Sequence, residues 1–226
     1  MRFKSFDYTV AVLCGGKSTR MGQDKATMLL ENIRLVDRLI REFAYCGEIL
    51  LSVRNRLQAE EIANGSSPQV CKCKCVLDEI PDAGPLAGMA AVLKECRTEW
   101  LFITAVDMPF MDRTFAEELL LNAEQAFKPG KAESEQRIMY AGTADRYYDV
   151  IVPIDAQGRP QVLSAFYRKS ALRQIESSLL VGEYKARNIL EELRVFEVPS
   201  SSLQGAEKKL INVNKPEEWE NCTGNT

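Results

Sequence analysis

Hydrophobic residues are spaced along this chain in two alternating periods. Thr9 to Leu13 is an uninterrupted apolar run of strand length that breaks into Cys14-Gly15-Gly16-Lys17-Ser18, the pattern of a buried strand feeding a glycine turn. Leu35 to Phe43 carries apolar residues at helical spacing, and Glu48 to Val53 follows as a second strand. Val70 to Leu77 predicts a third strand, Leu86 to Leu93 a helix, and Trp100 to Val106 a fourth strand that runs into Asp107. Asp112 is placed to cap a helix bearing Phe115, Leu119 and Leu120. Strands alternating with helices at this spacing imply an α/β fold with a mostly parallel central sheet covered on both faces.

The second half is less regular. From Lys128 to Arg146 the sequence turns polar, with Ile138-Met139-Tyr140 as its apolar island, and it reads as a surface excursion. Asp149 to Ile154 and Val162 to Tyr167 then read as strands joined by the turn-rich Asp155-Ala156-Gln157-Gly158-Arg159-Pro160, a hairpin. Helical patterns at Ala171 to Leu180 and Ala186 to Leu193, a short strand at Val195 to Val198, and Leu210 to Val213 complete the expected elements. A frayed end is expected from Asn221 to Thr226. The 226 residues fit one domain.

Composition narrows the chemistry. The net charge is only −3, with no basic run above its acidic surroundings, so nucleic acid is not an expected partner. No stretch has the apolar length to cross a bilayer, and Met1 to Asp7 lacks the pattern of a secretory signal. Seven cysteines, an odd number, suit reduced thiols in the cytoplasm. Within Cys71-Lys72-Cys73-Lys74-Cys75 the spacing is unlike that of zinc ligands, and strand alternation predicts buried thiols on one face with solvated lysines on the other. Histidine is absent, which excludes Ser-His-Asp and Cys-His centres. Carboxylates, lysine, arginine and backbone amides remain, groups suited to phosphoryl transfer.

Such groups gather around one loop. Adjacent glycines at Gly15 and Gly16 let backbone N–H groups close on a phosphate without Cβ obstruction, while Lys17, Arg20 and Lys25 supply positive charge. Gly22 and Asp24 can shape the turn. An ATPase P-loop would need glycine where Ala11 stands, and a dinucleotide fingerprint would need it at Lys17. This is another kind of polyphosphate loop.

Leu13-Cys14-Gly15-Gly16-Lys17-Ser18-Thr19-Arg20-Met21-Gly22-Gln23-Asp24-Lys25-Ala26 closely resembles the L-x-G-G-x-S-x-R-M-G-x-D-K signature of the molybdenum cofactor guanylyltransferases, the MobA family. Asp78 with Gly84-Pro85-Leu86-Ala87-Gly88 resembles the second loop of that family. Val106-Asp107-Met108-Pro109-Phe110 resembles its metal-binding strand end, and Asn212-Val213-Asn214-Lys215-Pro216-Glu217-Glu218 its C-terminal element. Cys14 replaces the usual alanine, and Gln161-Val162 stands where such enzymes often carry histidine or glutamate followed by proline.

The resemblance implies a Rossmann-like three-layer nucleotidyltransferase fold and transfer of GMP from GTP to molybdopterin with release of pyrophosphate. It implies a Mg²⁺ ion on Asp107, and triphosphate charge neutralised by Lys25 and Arg20. Nucleotide contacts fall at Leu13, Cys14, Gly15, Gly16, Lys25, Asn55, Asp78 and Asp107. Asp78 would read guanine, whose adjacent N1–H and N2–H donors one carboxylate can accept together. Arg20, Gly84, Gly88, Asn212 and Asn214 fall to the second substrate, with both asparagines on one strand face. Transient contact with proteins that make or receive the cofactor is also implied. The alternatives are a related molybdopterin cytidylyltransferase or other small-molecule nucleotidyltransferase, and a non-catalytic nucleotide- or cofactor-binding protein.

Overall fold

The computed structural model describes residues 8–15, 24–64, 72–80, 83–126 and 148–213. In its interior lies β1 (Thr9–Leu13), every residue of which is buried. A strand flanked by partners on both edges and covered on both faces has no solvent side, which is why its apolar run is continuous rather than alternating. Beyond the glycine segment, Lys25–Thr27 forms a single 3₁₀ turn, and β2 (Leu29–Leu30) and β3 (Ile33–Arg34) pair as a small antiparallel hairpin. Its turn residues Glu31 and Asn32 both sit at positive φ, 53° and 62°.

Helix α1 (Leu35–Glu42) buries Leu35, Val36, Leu39 and Ile40 on one stripe, then β4 (Glu48–Val53) pairs parallel with β1. Helix α2 (Arg56–Ala63) leads to β5 (Lys74–Leu77), parallel to β4. After α3 (Gly84–Glu95), β6 (Trp100–Ala105) returns to the other side of β1, again parallel. Asp112 caps α4 (Arg113–Ala126) as expected, its carboxylate accepting the Phe115 N–H at 2.8 Å.

The remaining elements extend the sheet. β7 (Val150–Ile154) and β8 (Ser164–Arg168) form the expected hairpin, with Gly158 at φ 74° in its connection. β8 runs antiparallel to β6. Helix α5 (Leu172–Leu180) precedes β9 (Val195–Pro199), which is parallel to β7, and α6 (Ala206–Lys209) is a single turn. The seven-stranded order is β5-β4-β1-β6-β8-β7-β9. One face of the sheet packs an apolar cluster including Phe43, Phe102, Phe115 and Phe166, and the other a cluster including Leu86, Leu93, Tyr167 and Ile175. Helices therefore cover both faces, giving the three-layer α/β architecture.

Several expectations need correction. Cys75 is exposed and Cys73 only half-buried; β5 is an edge strand with β4 on one side alone, and its neighbour Val76 points at α3 instead. Ala186 to Leu193 contains only the 3₁₀ turn Asn188–Glu192. Leu210 ends α6, and residues 211–213 form neither helix nor strand, so the shared strand face expected for Asn212 is absent. Asn214, the excursion expected at 128–146 and the end expected at 221–226 lie outside the described residues. Among the described residues no helix is long and apolar enough to cross a membrane.

Candidate active site

The chain proceeds from β1 outward through β4 to β5, then returns to place β6 on the opposite side of β1. The direction of strand addition therefore reverses between β1 and β6, and the carboxyl ends of such a neighbouring pair are where open α/β sheets have their ligand-binding crevice. The two strand ends are tied together by the Val106 N–H, which donates to the Leu13 carbonyl at 3.1 Å. Glycine-loop residues follow β1 and Asp107 follows β6, so both expected halves of the site meet at this point.

Lys25 and Asp107, 82 residues apart, form an ion pair here, Nζ to Oδ2 at 2.9 Å, each side chain 22% exposed. Partial exposure leaves the carboxylate accessible to a ligand. The Val213 N–H donates to the Asp107 main-chain carbonyl at 2.8 Å, which brings exposed Asn212 beside the same corner. No cluster of three or more acidic or thiol groups forms a metal cage among the described residues. Asp107 offers hard carboxylate oxygen at the crevice, the donor type of a Mg²⁺ that keeps water and substrate phosphates as its other ligands.

A second group surrounds Asp78, at the end of β5. Its N–H donates to the Val53 carbonyl at 2.9 Å, and its Oδ1 accepts the Ser52 hydroxyl at 2.6 Å. Burial raises the Asp78 carboxyl above its ordinary value, against the lowering effect of the Ser52 hydrogen bond. Two glycines make room for it. A Cβ on Gly15 would come within 2.7 Å of Asp78 Oδ2, and one on Gly88 within 2.5 Å of Ser52 Oγ; neither distance is tolerable without displacing the pair. Gly88 is thus a packing residue inside α3. Gly84 stands at the start of that helix with φ 65°, exposed and near the Tyr184 carbonyl.

The third group holds the glycine segment by its two described ends. Cys14 is buried, its N–H donating to the Ser52 carbonyl at 2.9 Å, and burial pushes its thiol well up. Asp24 is also buried: Oδ1 caps the 3₁₀ turn through the Ala26 N–H, and Oδ2 accepts from Arg54 and from Gln58, both at 2.7 Å. Asp24 is a turn-shaping residue. Asn55 caps α2, its side-chain oxygen accepting the Gln58 N–H at 2.9 Å.

Of the residues expected to bind ligand, Leu13, Cys14, Gly15, Lys25, Asp78, Gly88, Asp107 and Asn212 therefore converge on the carboxyl ends of β1, β5 and β6. Asn55 sits beside them, committed to a helix cap. Arg20 and Gly16 lie outside the described residues. Sequence reasoning did not single out Ser52, Arg54 or Gln58. A polar residue in a predicted buried strand signals Ser52, but the buried amide of Gln58 had no signal short of recognising α2.

The sequence matches the family described as MobA-like NTP transferase domain over residues 10–198. A protein of Carboxydothermus hydrogenoformans named "Probable molybdenum cofactor guanylyltransferase" is 30% identical over 216 residues, 94% of this chain and 93% of that protein. The molybdenum cofactor guanylyltransferase of Cupriavidus metallidurans is also 30% identical, over 85% of each chain. Among solved structures, molybdopterin-guanine dinucleotide biosynthesis protein A from Archaeoglobus fulgidus shares the fold with a TM-score of 0.73 at 24% identity, covering 95% of this chain and 96% of that one. The chain belongs to the MobA-like NTP transferase family and is a nucleotidyltransferase.

Proposed function

We propose that this enzyme transfers GMP from GTP to molybdopterin, forming molybdopterin guanine dinucleotide and releasing pyrophosphate. Relatives that match nearly the whole chain carry the name molybdenum cofactor guanylyltransferase. The observation that carries the choice of base is the Asp78 carboxylate, fixed through one oxygen by Ser52 while Gly15 and Gly88 leave space around it. A carboxylate pair of oxygens complements the adjacent N1–H and N2–H of guanine; cytosine presents a donor beside an acceptor, which would leave one oxygen facing a lone pair.

In the reaction a terminal phosphate oxygen of molybdopterin bonds to the α-phosphorus of GTP, and the bond from that phosphorus to the bridging oxygen of the β-phosphate breaks. The attacking oxygen is already anionic, so the site needs no strong base; it needs alignment and charge neutralisation. Asp107 would hold Mg²⁺, which when bound supplies charge neutralisation for the triphosphate. Lys25, now paired to Asp107, neutralises phosphate charge together with Arg20. Leu13, Cys14 and Gly15, with Gly16, present the main chain of the β1 exit to the nucleotide. Asn55 is assigned to the guanosine side and Gly84, Asn212 and Asn214 to the second substrate, while Gly88 leaves room for the Ser52–Asp78 pair. The reaction fits the cytoplasm, and contacts with proteins that make or receive the cofactor would be transient.

The test supplies purified enzyme with Mg²⁺, molybdopterin and each of the four nucleoside triphosphates, measuring pyrophosphate and the mass of the product. GTP alone should give a dinucleotide. Exclusive turnover of CTP would replace the guanine reading with a cytidylyltransferase.

A further inference from the structure

Gln58 stands where a purely structural helix would carry an apolar residue. It lies one turn before Ile62 on the inward stripe of α2, and the two are equally buried at 1% exposure. Burying a side-chain amide is unfavourable unless its hydrogen bonds are made, and here all are. Nε2 donates to the Cys14 carbonyl at 2.9 Å and to Asp24 Oδ2 at 2.7 Å, and Oε1 accepts the Arg54 N–H at 2.8 Å. Two acceptors on one side and a donor on the other fix the amide's orientation.

Cys14 directly precedes Gly15 and Asp24 directly precedes Lys25, the described residues on either side of the glycine segment that are assigned to the nucleotide. One amide therefore spans from the exit of β1 to the residue that caps the turn bearing Lys25. Its own placement is set by Asn55, which caps the first turn of α2. The link is one side chain long and buried, so it has little freedom to stretch.

We infer that Gln58 is a positioning residue for the polyphosphate site, fixing Lys25 relative to the main chain at Gly15. This rests on the reading of the glycine loop as the triphosphate site, not on the choice of base. Gln58→Leu keeps the approximate size and removes both donors and the acceptor, taking away the partner of the Cys14 carbonyl and that of the Arg54 N–H. Asp24 keeps Arg54. The lost alignment falls on phosphate binding, so nucleoside triphosphate and inorganic tripolyphosphate should weaken by a similar factor, about tenfold or more.

The experiment measures, by titration calorimetry, binding of the four nucleoside triphosphates and of tripolyphosphate to the unaltered enzyme, to Gln58→Leu and to Gln58→Glu. Ile175→Ala, in α5 on the other face of the sheet, controls for lost stability. In turnover assays the KM for the nucleotide should rise in both Gln58 variants while the KM for molybdopterin stays within about twofold. Gln58→Glu keeps the acceptor for Arg54 but lacks the donors, and should be at least as impaired as Gln58→Leu. Weaker binding in the Gln58 variants alone, shared by tripolyphosphate, supports the assignment. Unchanged affinity in Gln58→Leu, or an equal loss in Ile175→Ala, overturns it. If the unaltered enzyme prefers CTP, the guanine reading fails while the same comparison with CTP still decides the role of Gln58; if it binds no triphosphate, both fail.

Discussion

Two halves of one sheet treat their carboxylates in opposite ways. At the start of β7, on the far half, Asp149 accepts from Arg194 through Nε at 2.8 Å, Nη2 at 3.1 Å and the main-chain N–H at 3.1 Å, and from the Ser170 hydroxyl at 2.9 Å. Burial pushes its carboxyl up, but these hydrogen bonds outweigh it and hold the group below the ordinary value. On the near half, Asp78 has one side-chain partner among the described residues, Ser52, and burial leaves its carboxyl raised. A carboxylate saturated by its own chain stabilises a fold, whereas one left with open oxygens in partial burial is a candidate to meet a ligand. Asp149 joins β7 to the segment preceding β9, while Asp78 and Asp107 face the crevice.

The sharpest way to break this contrast is Asp107→Ala. With the acidic ligand gone and Lys25 unpaired from it, turnover should fall by on the order of 10²–10³, read as pyrophosphate release, with folding nearly unchanged. A rate close to that of the unaltered enzyme would remove Asp107 from the chemistry.

Next comes Asp78→Asn, which should cut the preference for GTP over CTP by about 10² while leaving tripolyphosphate binding intact. The pH dependence has a definite sign. Because the folded carboxyl is raised, protons bind it in the folded chain at pH values where the unfolded chain has lost them; its ionisation therefore opposes folding as pH rises through that window. Asparagine removes this cost, so urea unfolding above the window should show Asp78→Asn at least as stable as the parent. GTP needs the ionised form, so GTP affinity should decline on acidification from a pH higher than an unperturbed aspartate would give, and the variant should lack that decline.

Asp149→Asn should do the reverse. It should lower unfolding free energy by roughly 1–3 kcal/mol and leave nucleotide affinity alone, as measured by urea melts and calorimetry. Its folded carboxyl is depressed, so its stabilisation is present above the unfolded value and is lost as pH falls through the folded one. The smallest effect belongs to Gly15→Ala. The new methyl group would meet Asp78 Oδ2 at 2.7 Å, a flexible neighbour that can turn away, so stability should hold while GTP affinity drops about tenfold.

The near half was also the more legible in sequence. β1, β4 and β6 announce themselves as apolar runs because parallel strands are buried on both faces, and the ligand segments follow their ends. Helix α2 stayed hidden because its inward stripe carries Gln58 ahead of Ile62, so an amide stands where the apolar period should repeat. Asn55, which the resemblance makes a nucleotide contact, also caps this helix, a role that the hidden α2 left unannounced. The β2-β3 hairpin turns through Glu31-Asn32 at positive φ without a glycine, which removes the usual signal for such a turn. Cys75 was expected inside because strand alternation assigns faces but cannot tell a central strand from an edge. Ser52 stands out in sequence as a polar residue in a buried strand, but only the approach of Asp78 from β5 and Gly88 from α3 gives its hydroxyl a purpose.

The most direct test of the account is a crystal soaked with GTP and Mn²⁺, the ion located by its anomalous scattering. The manganese should be bound by the Asp107 carboxylate, with the guanine edge on Asp78. An ion remote from Asp107 and a base remote from Asp78, in a crystal with GTP clearly bound, would contradict it.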